Sequence, residues 1–318
     1  MSKVYLVGAK LKPKILNNWE LYEQGIILEL DVINKSIKHK VSYFSPPEVC
    51  PPLNASISFT AATLSEKKLY VGTHTEVLTY NNRFEKENYF SLPMFNDIHH
   101  VKPRENGNLL VVNTGLDMVV EVTKSGEVVR YWNIAGENPW DRFNEKIDYR
   151  KVPSTQPHKS HPNFVFELND DIWVTRCLQK DAVCLNDPNK KISIGRELIH
   201  DGVRFSGKIY FTQVDGRIVI VDEKTLKVEE EIDLVKITPR NQKIGWCRGI
   251  MPFKNNFVLV GFSRVRPSRE VMPDGTVKWK GQYGHMPTRL ACYDLSCRKL
   301  IWELNLEKYN MNAIYSIN

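Results

Sequence analysis

One short pattern recurs six times along this chain. It is a strand-like run of β-branched and aromatic residues: KVYLVGAK (3–10), KLYVGTH (68–74), LLVVNTG (109–115), DIWVTR (171–176), KIYFTQ (208–213) and FVLVGFS (257–263). Self-similarity at a period of a few tens of residues marks an array built from one supersecondary unit. The stretch Asp97–Trp132 shows that unit complete, with strands IHHVKP, LLVVNT, MVVEVT and EVVRYW. Asn106-Gly107, Gly115 and Ser125-Gly126 fall between them, where hairpin turns need such residues.

Two further echoes complete the pattern. A closing hairpin follows several copies, at 30–43, 122–132, 221–234 and 293–306. An apolar segment precedes each copy but the first, at 56–64, 98–103, 160–168, 199–205 and 246–253. The first copy starts at Lys3, so its missing partner must come from elsewhere, and MNAIYSIN (311–318) is the candidate. This predicts an all-β, six-bladed β-propeller closed by the C-terminal strand joining the N-terminal blade. Closure removes unpaired sheet edges. The predicted blades are 311–318 with 3–44, then 56–92, 97–134, 160–195, 199–234 and 246–306, as one domain over 1–318. No long segment shows the 3.6-residue apolar period of helices.

Composition narrows the function classes. With 318 residues and 42% hydrophobic content the chain can bury a large core. Its net charge of +7 is spread among charges of both signs, so no nucleic-acid face is expected. The charge suits a small polar or anionic partner. The apolar run in MSKVYLVGAKLKPK is too short for a secretory signal, and no segment reaches the roughly 18 apolar residues of a membrane span. A cytoplasmic protein without membrane contact is expected. The six cysteines form no CxxC pair and read as free thiols.

The starts of the inner strands carry the candidate chemistry. Aligned, they read Phe59-Thr60, His99-His100, His161-Pro162, His200-Asp201, Cys247-Arg248 and Met311-Asn312. His99, His161 and Cys247 each precede the next strand's Leu110, Ile172 and Val258 by eleven positions, and His200 precedes Ile209 by nine. Three histidines at one position on consecutive blades would rim the central channel. Such a trio could hold a divalent metal (Zn, Mn or Fe) with open positions for water or substrate. Without a metal, His99, His161 or His200 would act as general base, Asp201 as acid or orienting group, and Arg248 as an anion clamp. His100 should face away from the channel, by the period of two. Cys247 beside Arg248 is a possible nucleophile, although a packed core residue is the simpler reading.

Two loops are longer than the repeat requires: 135–159, with Trp140, Phe143 and Tyr149, and 264–289, with Trp279, Tyr283 and the basic residues Arg264, Arg266, Arg269, Lys278, Lys280 and Arg289. Both belong to the face where inner strands begin, and long loops there often act as lids. Arg264, Arg266, Trp140, Trp279 and Asn113 are the candidate substrate contacts. His74, Glu76, Asp117, Arg176, Asp181, Gln213 and Asp215 lie in short loops on the same face, where ordinary turn chemistry also explains them.

The runs HDGVRFSGKIYFTQVDGRIVIVD (200–222) and GWCRGIMPFKNNFVLVGFSRVRP (245–267) resemble an uncharacterised bacterial family of six-bladed propellers. The wider look is that of gluconolactonase, strictosidine-synthase and NHL-repeat propellers. That resemblance implies the fold but no ligand set, because the gluconolactonase group binds its cation through carboxylate and amide oxygens where this chain has histidines. Oligogalacturonate-lyase-like propellers are similar in site type alone, through a His-rich metal centre. The expected function is an enzyme acting on a small polar or anionic metabolite or sugar derivative, as lyase, hydrolase or isomerase. The alternative is a non-catalytic propeller that binds a ligand or partner through its loop-rich face.

Overall fold

The computed structural model describes residues 3–13, 20–239, 244–254, 256–271, 277–280 and 282–318. Six four-stranded antiparallel sheets stand in a ring. In blade one, β1 (Lys3–Leu11), β2 (Tyr22–Asp31) and β3 (Ser36–Tyr43) join the chain's last strand, β26 (Ala313–Ile317). Blade two holds β4 (Ala61–Ser65), β5 (Lys68–Gly72), β6 (Val77–Tyr80) and β7 (Lys86–Phe90). Blade three holds β8 (Ile98–Pro103), β9 (Leu109–Asn113), β10 (Met118–Val122) and β11 (Val128–Asn133). Blade four holds β12 (Pro162–Leu168), β13 (Asp171–Arg176), β14 (Asp181–Cys184) and β15 (Lys191–Ser193). Blade five holds β16 (Ile199–Phe205), β17 (Lys208–Gln213), β18 (Arg217–Asp222) and β19 (Val228–Asp233). Blade six holds β20 (Trp246–Phe253), β21 (Phe257–Ser263), β24 (Arg289–Asp294) and β25 (Lys299–Asn305). Its insertion carries a hairpin of β22 (Ser268–Val271) and β23 (Val277–Lys280).

The inner strands β26, β4, β8, β12, β16 and β20 each touch the next around the ring. Their neighbours are buried on both faces, which is why LLVVN of β9 and MVVEV of β10 are apolar with little alternation. The outermost strands face water, and VVRYWN of β11 is largely exposed. The apolar clusters lie between blades: Ile218, Ile232, Val260 and Phe262 pack one seam, and Leu110, Val119, Val165 and Val174 another. Each such side chain contributes about 2 kcal/mol by leaving water.

Ring closure depends on one glycine. Gly8 of β1 pairs with Ile314 of β26, and a Cβ at position 8 would lie 1.9 Å from the Ala313 carbonyl oxygen. No side chain fits there.

Among the described residues no helix is long and apolar enough to cross a membrane. All six cysteines are unpaired, and only Cys297 is exposed.

Candidate active site

The inner strands share a defect that makes the site. At the end where each strand starts, β8, β12, β16, β20 and β26 slip register against their partners. The residues skipped by the pairing are His99 in blade three, Asn163 and Phe164 in blade four, His200 in blade five, Arg248 and Gly249 in blade six, and Tyr315 in blade one. A bulge releases a residue from the ladder and re-aims its side chain. Here the released groups converge on the axis. The His99 ring lies 6.0 Å from His200, two blades away, and His200 lies 6.1 Å from Tyr315. Arg248 stacks 4.4 Å over Tyr315.

One side of this mouth is a histidine–carboxylate cluster. Asp97, just before β8, accepts from His74 Nδ1 at 3.3 Å and His99 Nε2 at 3.2 Å. Burial works against its charge, but the His99 and His74 rings outweigh it and hold Asp97 well below the usual carboxylate range. The other nitrogen of His99, Nδ1, is 2.5 Å from Asn163 Oδ1, and the Asn163 amide donates to the Ile199 carbonyl. Both His99 nitrogens therefore face oxygen atoms of neighbouring side chains.

His161 reaches the mouth by another route. It lies just before β12 with φ of 52°, a left-handed conformation unusual for histidine. Asp117, in the loop of blade three, holds it there. Its carboxylate accepts from the backbone N–H groups of Lys159, Ser160 and His161 and from Arg142 Nη1. The same clasp positions His158, whose Nδ1 is 2.7 Å from His161 Nδ1. The Thr155 hydroxyl donates to the Gly115 carbonyl, so it accepts from His158 Nε2. His158 Nδ1 is then an acceptor and His161 Nδ1 its donor, which leaves a lone pair on His161 Nε2. Burial, then the His99 and His158 rings, push the His161 pKa down to about 3, so the ring is neutral. Donor atoms of Asp97, His158 and His161 all lie within 4.8 Å of one another.

The other side is cationic and aromatic. Arg248 is 8% exposed and lies against Tyr315 and Tyr22. Arg266, from the blade-six insertion, donates to the Tyr22 hydroxyl at 3.0 Å. Burial raises the Tyr22 pKa, but Arg266 and Arg248 outweigh it and leave the phenol more acidic than usual. Burial and then the Arg248 charge hold His200 neutral, well below the ordinary histidine value.

His99, His161, His200, Arg248 and Arg266 therefore meet at the mouth. The metal trio read from the sequence shares only His161 with the Asp97–His158–His161 group, because His99 is committed at both nitrogens. The spacing argument also needs correction in blade four: Asn163 is the register equivalent of His99, and His161 precedes the strand. Other candidates lie elsewhere. Asn113 is fully buried and ties the segment before β8, accepting from Asn96 N and donating to the Met94 carbonyl. Arg264 is paired with Glu307, and the indole of Trp140 donates to the Tyr131 hydroxyl. The side chain of Trp279 lies outside the described residues. Cys247 is fully buried in the seam beside Phe262, and burial pushes its thiol far up, away from nucleophile chemistry. His100 is buried against Phe164, facing away from the axis.

Asp97, His158, Asn163, Tyr22 and Tyr315 were not singled out by the sequence reading. Tyr315 lies three positions beyond the Met311-Asn312 expected to start the last inner strand, and the DIHH run held the signal for Asp97. A cleft of 420 Å³, lined by Lys208, Tyr210, Lys254 and Arg298, opens at the opposite ends of blades five and six and takes no part in the cluster.

Asp201, next to His200, gives a test by pH. Burial pushes its carboxyl up to about 7. A carboxyl raised in the folded state supports stability below its unfolded pKa and loses that support as pH rises toward the folded value. The wild type should therefore weaken relative to Asp201→Asn between pH 4 and 7, by at most about 1.4 kcal/mol per unit, and the difference should then level. Urea midpoints of both proteins across that range check it.

No family model and no curated protein sequence matches the chain. Solved structures do. A Bacteroides caccae protein of unknown function aligns over 100% of this chain and 98% of its own, with a TM-score of 0.63 and 13% identity. A streptogramin B lyase aligns over 92% of this chain and 96% of its own, at TM-score 0.47 and 12% identity. Virginiamycin B lyase from Staphylococcus aureus aligns over 93% and 98%, at 0.48 and 9%. The chain is a six-bladed propeller like the first of these, and the likeness is one of fold.

Proposed function

We propose that this propeller is an enzyme whose axial mouth takes a small polar or anionic metabolite or sugar derivative and acts on it as a lyase, hydrolase or isomerase. One observation carries the reading: neutral imidazoles, a half-buried carboxylate and a buried guanidinium from separate blades meet at one end of the ring axis. A cluster of perturbed titratable groups marks a functional site.

Asp97, His158 and His161 are the residues that would hold a divalent ion. One carboxylate and two imidazoles suit Zn²⁺, Mn²⁺ or Fe²⁺. Their donor atoms are close enough to share an ion; it would take the place of the proton shared by His158 Nδ1 and His161 Nδ1, and imidazoles kept neutral by burial lose no affinity to protons. Such an ion would polarise a carbonyl or acidify a water. Without an ion His161 Nε2 is the available lone pair; in either case Asp97 orients His99 and the Arg248 corner attracts negative charge. Trp140 is engaged with Tyr131, which weakens the alternative of a binding face built on exposed indoles.

Calorimetric titration of the apo protein with Zn²⁺, Mn²⁺ and Fe²⁺ tests the metal. One equivalent should bind with Kd below about 10 μM, which corresponds to roughly −7 kcal/mol. His161→Ala and Asp97→Ala should each weaken it by about 100-fold or more. Unchanged binding in both variants would move the metal elsewhere and leave acid–base chemistry.

A further inference from the structure

Arg248 differs from several arginines elsewhere in the ring. Arg104 pairs with Glu121, Arg142 with Asp117, Arg176 with Asp181 and Arg264 with Glu307. Arg248 is 8% exposed, yet among the described residues no carboxylate pairs with it, and its Nε and Nη1 are buried without a hydrogen-bond partner. The neighbouring His200 Nδ1 is also buried and unpartnered. Buried donors without acceptors are rare, and a buried cation without a counter-charge is rarer. The guanidinium is nevertheless fixed in place, its face stacked 4.4 Å over Tyr315 and its edge against the Tyr22 and Tyr315 hydroxyls. Nε and Nη1 are a rigid pair of donors with no acceptor among the described residues.

We infer that the Arg248 corner is a carboxylate subsite, in which the acid group of a small monoanionic substrate lies against Nε and Nη1 of Arg248 and beside His200. The inference rests on the axial mouth being a substrate pocket, and it names the substrate class. The count of charge favours a carboxylate. Arg266 is only half-buried and keeps its charge within reach of water, so at this corner Arg248 is the one buried positive charge left to be matched. A carboxylate brings one negative charge, whereas a phosphate monoester brings nearly two at neutral pH. The planar guanidinium also matches a planar carboxylate. His200, as its Nδ1–H tautomer, donates to the same group. The body of the ligand then extends toward the His99 ring, 6.0 Å from His200, and so toward His161. That places the atoms next to the carboxylate at the imidazole cluster.

Saturation-transfer NMR with acetate as the probe, at fixed ionic strength, tests this. The wild type should give an acetate methyl signal that formate displaces and that phosphate displaces only at higher concentration. Arg248→Gln should reduce acetate affinity at least about tenfold, equal to 1.4 kcal/mol, and Arg248→Lys should reduce it less. Arg196→Gln, at a side chain 78% exposed, should leave it unchanged. Should Arg248→Gln fail to fold, the wild-type competition with formate and phosphate decides alone. No acetate signal in the wild type, an equal affinity in folded Arg248→Gln, or stronger displacement by phosphate than by formate overturns the inference. Metal titration is independent of this readout: acetate without metal sinks the metal reading alone, and metal without acetate sinks the subsite alone.

Discussion

Asp117→Asn should unfasten the His158–His161 arm and cost the fold about 3 kcal/mol, in the range for breaking a buried charged network. Asp117 is fully buried, and its two oxygens serve four donors. Oδ1 accepts from Ser160 N at 3.0 Å and His161 N at 2.8 Å, and Oδ2 from Lys159 N at 2.8 Å and Arg142 Nη1 at 2.9 Å. Asparagine keeps the shape but has one acceptor. Whichever way its amide turns, an NH₂ group meets donors and Arg142 loses its counter-charge. The left-handed backbone at His161 then lacks what holds it, and the His158 Nδ1–His161 Nδ1 contact goes with it. Urea unfolding measures the loss, and the imidazole NMR signals of His158 and His161 report the arm itself. A change in stability within ~0.5 kcal/mol, the range of ordinary surface substitutions, with unmoved imidazole signals would refute the clasp.

Gly8→Ala should be as damaging by a steric route, at about 3 kcal/mol or more. A methyl group 1.9 Å from the Ala313 carbonyl oxygen forces β1 and β26 apart. Because β26 also touches β20 and β4, the seams on both sides loosen together. The variant should show a lower thermal midpoint and faster proteolysis near residue 310. Gly25→Ala meets the Phe59 ring and its backbone nitrogen at 2.8–3.0 Å, a milder approach, and should cost less. Equal stability of Gly8→Ala and wild type would mean that the closure seam is not held as described.

The fold was legible because its signal is periodic. Six copies of a strand pattern and a C-terminal run without a partner of its own leave little freedom in how the sheets assemble. The site was legible only in part. His99, His200 and Arg248 were found because bulges occupy equivalent places in blades three, five and six. His161 was found by a coincidence of spacing, since the equivalent place in blade four is Asn163 and the histidine arrives from the preceding loop. Tyr315 was missed because the last inner strand begins later than its apolar run suggests. Tyr22 and His158 belong to no inner strand, and tertiary contacts alone bring them in. Both long loops supply a group to the axial cluster, His158 from 135–159 and Arg266 from 264–289. The sequence named Arg266 among several basic residues of its loop, but gave no sign of His158.

The slipped positions also separate what holds the ring from what acts in it. His99, Asn163, His200, Arg248 and Tyr315 are skipped by the ladders, so exchanging any of them removes no ladder pair directly. A lineage carrying this scaffold could change the chemistry at its axis by rewriting a handful of letters, with no need to re-solve the problem of folding.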